Sequence, residues 1–215
     1  MKLFAISIAM FAAAAAAQTP QPSPDKADAY TYTKILTKRS AKIVATLGID
    51  DTLKLLRVRD IIVAQYRALN AIHDERNDRV KALEEKGGER SAAQIKAAET
   101  EAAAKLCAKH NAYIGKLMSE LTPEQVDKVK DGMTYGVAPL TYRVLCEMIP
   151  ALTDEQKRYI LEALHEAREY AMDAESNAKK HEWFGKYKGR INNYLSAQGY
   201  DLKKEREEWR KRTNN

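Results

Sequence analysis

The sequence predicts an all-α fold, a single domain built on a long antiparallel helical hairpin with several shorter helices packed against it. Three observations carry this. Apolar residues recur at spacings of three, four and seven along most of the chain, the signature of amphipathic helices. Two long helical runs are separated only by Gly87-Gly88, which fits a helical hairpin with a tight turn. No run alternates apolar and polar residues as a half-buried strand does.

The chain opens with Met1-Lys2 and the apolar run "LFAISIAMFAAAAAA", with small residues before Gln18. This pattern predicts a signal peptide over residues 1–17 and export to the periplasm or beyond. "QTPQPSPDK" follows. Its Pro, Ser and Gln content predicts a disordered leader over 18–28. An all-helical domain is expected over 29–202, with a charged C-terminal helix or tail over 203–215.

Within the domain, Tyr32, Ile35, Leu36, Ile43, Val44 and Leu47 mark the first helix, and Gly48 stops it. Asp50 is placed to cap the second helix, whose buried stripe includes Leu55, Ile62, Tyr66, Leu69, Ile72 and His73. Ser91 is placed to cap the third. Breaks at Gly132, Gly136–Pro139 and Pro150 predict shorter helices at Pro123–Asp131, Leu140–Ile149, Asp154–Ala174 and Glu182–Gln198, with a last one from Leu202.

The chain has 215 residues, 45% of them hydrophobic, and a formal charge of +6. In an exported protein that balance points away from nucleic acid and toward acidic saccharides, anionic envelope surfaces or proteins. No segment is suited to span a membrane. Cys107 and Cys146 are the two cysteines. They either pair in the oxidising setting that export supplies or remain two free thiols.

"LTPEQ" (121–125) and "LTDEQ" (152–156) are the clearest repeated string. They resemble the LTxxQ motif of the Spy-like periplasmic chaperones. Physically they are capping boxes, with Thr122 and Thr153 as N-caps and Gln125 and Gln156 at N3. Leu121 is placed to staple against Val126.

Metal and catalytic signatures are weak. "EALH" (Glu162–His165) has the Glu-x-x-His spacing of di-iron bundles, but a second such pair is missing. "CAKH" (Cys107–His110) puts two side chains on one helix face, too few for a metal site. No nucleophile elbow, Walker loop or dinucleotide fingerprint is present. The sequence therefore assigns no catalytic residue, no metal and no cofactor.

"KHEWFGKYKGRINNYLSAQGY" (180–200) is the most unusual stretch. At about 100° per residue, Phe184, Ile191 and Leu195 share a core arc, while Trp183, Tyr187 and Tyr194 fall at its border. Lys186, Arg190 and Asn193 come next on the projection. Gly185 and Gly189 occupy the far face, and each costs helix stability unless a ligand or another backbone approaches there. One outcome is a helix-packing seam. The other is a saccharide platform, with rings stacking on a pyranose C–H face and Arg or Asn binding hydroxyls or a uronate.

"DKVKDGMTYGVAPLTYRVLCEMIPALTDEQK" and the stretch from "EAREYAMDAE" through "KYKGRINNYL" resemble an uncharacterised family of exported helical proteins, catalogued as domain of unknown function 3826. The resemblance implies a polysaccharide-utilisation setting and a sugar-binding role, and carries over no catalytic residue. In "DGMTYGVAPLTYR", Tyr135 sits in a Gly-flanked loop and Tyr142-Arg143 just inside the next helix, a good place for a ligand. The expected ligand-binding residues are therefore Trp183, Lys186, Tyr187, Arg190, Asn193, Tyr135, Tyr142 and Arg143. The expected function is non-catalytic binding of a saccharide, acidic ones included. The alternatives are a periplasmic chaperone or adaptor for protein partners, and a carbohydrate-active enzyme.

Overall fold

The structure is a computed structural model that describes residues 26–213. The expected signal peptide, and most of the leader, lie outside the described residues. Eight helices follow in order: α1 Lys26–Val44, α2 Thr52–Glu84, α3 Glu89–Met118, α4 Pro123–Met133, α5 Val137–Met148, α6 Asp154–Met172, α7 Asn177–Ala197 and α8 Leu202–Thr213. The all-α fold on a long hairpin is therefore observed. α2, with 33 residues, spans roughly 50 Å at 1.5 Å per residue.

Local chemistry sets most of the ends. Both Thr122 and Thr153 complete capping boxes with Gln125 and Gln156, satisfying backbone N–H groups that the first turn leaves unpaired. Each glutamine also reaches across the fold. Gln125 Nε2 donates to the Leu47 carbonyl at 2.9 Å, and the Tyr200 hydroxyl donates to Gln156 Oε1 at 3.0 Å. Leu121 and Val126 are buried in one cluster, as the staple requires. Two caps differ from expectation. Asp51, not Asp50, accepts from Leu53 N and Lys54 N at the start of α2. Gly88 rather than Ser91 is the N-cap of α3. Ser91 lies inside the helix, and its hydroxyl donates to the Gly87 carbonyl at 2.7 Å, because the chain turns into helix as soon as the positive φ of Gly87 and Gly88 allows.

Two core clusters result. The first joins α1 to α4 around Val58, Ile62, Leu117, Val129 and Met133. The second joins α5, α6 and α7 around Ile149, Ile160, Leu164, Phe184, Ile191 and Leu195. α8 closes the second cluster with Leu202 and Trp209. α4 packs on α1 and α3 on one side and on α5 and α6 on the other, so it joins the halves. The seam there is polar. Arg168 is buried and donates to Asp131 at 2.8 Å and Asp127 at 2.5 Å, as a buried guanidinium requires. Lys180 is buried with it, and its ammonium donates to the carbonyls of Met133 and Met172 at 3.2 and 3.3 Å. Burial, with the Arg39 charge nearby, pushes the Lys180 amine down to about 8.

The cysteines are both free, Cys107 exposed on α3 and Cys146 half-buried on α5. They belong to different halves, so the pairing alternative fails for geometric reasons.

A cleft between the two helical hairpins

α6 ends at Asp173 and α7 begins after Ser176, whose side chain accepts from Lys179 N at 3.2 Å. This short turn lies against His73 of α2 and His110 of α3. The space between them is a cleft of about 600 Å³, within the range of small-ligand sites.

The polar wall is mostly self-paired. His110 Nδ1 lies 2.8 Å from Asp173 Oδ2, and its Nε2 lies 3.3 Å from Glu169 Oε2. Hydrogen bonds to Asp173 and then Glu169 push the His110 imidazole up to about 9. Both ring nitrogens carry protons at neutral pH, so the ring has no lone pair for a metal. Burial alone would raise the Glu169 carboxyl, but hydrogen bonds from His110 and Lys130, with the Lys130 and Arg168 charges, outweigh it and hold it down to about 2. Lys130 Nζ meets both Glu169 oxygens at 3.0 and 2.9 Å. Arg76 donates to Glu175. Among the described residues, no group of three or more His, Cys, Asp or Glu side chains is arranged to hold a metal ion.

Two buried atoms of this wall lack a hydrogen bond. His73 lies 2.7 Å from the Asp173 carbonyl through Nε2. A carbonyl only accepts, so Nε2 carries the proton and caps the end of α6. The buried Nδ1 of His73 faces Glu175 Oε2 at 3.8 Å, beyond hydrogen-bond distance, and the buried Oδ1 of Asp173 has no hydrogen-bond partner. Native structures seldom leave such atoms unpaired without a reason.

The other wall is aromatic. Tyr170 of α6 stacks on Trp183 of α7, with centroids 4.5 Å apart and planes 15° from parallel. Tyr170 is 48% exposed, and both rings line the cleft.

Of the eight residues expected at a site, only Trp183 lines this cleft. Lys186 lies over the Trp183 ring at 5.0 Å, outside the cleft lining. Tyr187 is buried in the second core cluster. Arg190 is exposed, 3.1 Å from Glu166 Oε2, with its guanidinium over the Tyr159 and Tyr187 rings. Asn193 is exposed further along α7. Tyr135 is exposed at a left-handed φ of 59°, and its hydroxyl donates to Asn177. Tyr142 is half-buried against the second cluster. Arg143 is exposed, 3.8 Å from Glu147. The two aromatic-basic strings thus do not meet in this cleft. The string on α7 is largely a seam with α6, reinforced by the Tyr159–Tyr194 stack at 3.8 Å. Gly185 and Gly189 have nothing within 4 Å of an added Cβ, so no helix approaches them.

His73, His110, Glu169, Tyr170 and Asp173 were not singled out as a site by sequence. "CAKH" did mark Cys107 and His110, and both line the cleft. No spacing unites residues 73, 110 and 173, because three separate helices deliver them.

The family model described as "Protein of unknown function (DUF3826)" matches residues 33–215. The chain belongs to this family. The match takes in all of α2 to α8, so every residue of the cleft is part of the DUF3826 domain. No curated protein matches the chain. No described helix of this DUF3826 member is long and apolar enough to cross a membrane.

Proposed function

We propose that this protein binds saccharides without transforming them, and that the cleft between α2, α3, α6 and α7 is the binding site. One observation carries the reading. The cleft sets the polar side chains of His110, Glu169, Asp173 and Glu175 on one wall against the half-exposed Tyr170–Trp183 stack on the other. A pyranose suits both walls. Its hydroxyls donate to acceptors, and its C–H face lies against an aromatic wall. Arg76 and Lys179 at the rim are already paired with Glu175 and Glu182, so the cleft suits neutral sugars. Proton-transfer chemistry is poorly served, since Glu169 stays ionised and His110 stays protonated near neutral pH, far from the match a general acid or base needs. Export to the periplasm, which residues 1–17 call for, belongs to the same proposal.

A glycan array followed by calorimetry on the retained ligands tests this. Tyr170→Ala and Asp173→Asn are expected to weaken binding at least about tenfold, in line with the loss of one stacking or charged hydrogen-bond contact. Arg190→Ala, outside the cleft, is expected to leave it unchanged. Absence of any retained glycan, or a Tyr170→Ala variant that binds as before, would sink the proposal.

A further inference from the structure

A second groove lies over the other half of the molecule, between α5, α7 and α8, with a volume of about 530 Å³. Its lining differs in kind from the cleft described above. Val144, Leu145, Met148, Ile191 and Leu202 make an aliphatic floor. Leu140 is 51% exposed at its edge. Three cations, Lys188, Arg206 and Arg210, line the groove, and no carboxylate does. None of the three forms an ion pair among the described residues, whereas Arg76 and Lys179 of the first cleft are both paired. Arg206 and Arg210 are four residues apart on α8, where like charges oppose each other. Trp209 adds a buried indole N–H with no acceptor.

The charged side chains and the indole are therefore donors or cations beside an apolar floor. A polyhydroxylated ligand would find few acceptors there. We infer that this groove binds an amphiphilic anion, a single aliphatic chain ending in a carboxylate. The chain lies along Leu140, Val144 and Leu202, the lining aliphatics that keep exposed surface. The carboxylate takes the forked guanidinium donors of Arg206 or Arg210, relieving the repulsion between the two arginines.

Decanoate is the probe, titrated below its micelle concentration into the purified chain and read by Trp209 emission in a Trp183→Phe background. It should bind saturably at one site. Octanoate should bind more weakly by roughly tenfold, two methylenes' worth of burial. Decylammonium should not compete, and added salt should weaken the binding. Arg206→Gln with Arg210→Gln should cost decanoate at least about tenfold without moving the thermal midpoint, because both side chains are exposed on the outermost helix. Val144→Gln, which alters the floor instead, should weaken decanoate and leave acetate unaffected. Equal binding of decylammonium, equal binding of acetate, an unchanged affinity in the double arginine variant, or attachment only to anionic vesicles or acidic protein would each overturn the inference. Trp183→Phe alters only the saccharide cleft and Trp209 reports only on this groove, so the two readings fail separately.

Discussion

His110 shows how one side chain ties stability to pH. Its folded pKa, about 9, stands above the ordinary value of 6.5. The folded protein therefore holds a proton that the unfolded chain releases between those values. The stability from the His110–Asp173–Glu169 contacts is complete below about pH 6.5 and is lost as pH rises toward 9. Denaturant titrations across this window should show the loss in the wild type, and His110→Ala should flatten it. A variant with the same slope would show that another group titrates. Gly185 and Gly189 make the opposite point, since neither has a neighbour within 4 Å of an added Cβ. Gly185→Ala and Gly189→Ala should each stabilise α7 by roughly 0.5–1 kcal/mol, the helix preference of Ala over Gly. A midpoint that falls instead would reveal a contact at that face.

Gly132 behaves differently because of where its helix packs. α4 crosses α1 closely enough that a Cβ on Gly132 would sit 2.9 Å from Ile43 Cγ1 and 3.0 Å from Cγ2. Ile43 is buried and β-branched, so it has little freedom to move aside. Gly132→Ala should destabilise by roughly 1–3 kcal/mol, the usual cost of overpacking. Adding Ile43→Ala should cost less than the two single changes together, since the pair shares one space. Strict additivity in that cycle would mean the helices part rather than clash. The capping boxes act at the same scale. They set the starts of α4 and α6, and their glutamines then fasten those starts to the α1–α2 connection and to Tyr200.

At the scale of the molecule, two helical halves meet across α4, Arg168 and Lys180. The halves keep the thiols apart. Alkylation without reductant, read by mass spectrometry, should label two thiols per unfolded chain, and exposed Cys107 before half-buried Cys146 in the folded one. Fewer than two would mean a bond that this fold does not allow. The helices were legible in the sequence because helix formation is local. Period, caps and glycine stops each act within a few residues, and Phe184, Ile191 and Leu195 appear as core from spacing alone. A helical projection also placed Trp183, Tyr187 and Arg190 side by side, and they are neighbours. It did not say that Tyr170, Tyr159 and Glu166 of α6 would cover them. The cleft was illegible for the same reason. His73, His110 and Asp173 are brought together by how the α2–α3 and α6–α7 hairpins dock, and that depends on contacts between residues 100 and 63 positions apart. The sequence alone determined the helices, their order and most of the apolar stripe of each, while α5 and α7 begin three and five residues before their predicted starts. The tertiary structure decided which faces meet, and with them the cleft, the displaced pKa values and the fate of each glycine, because a side chain's surroundings come from other elements and not from its own.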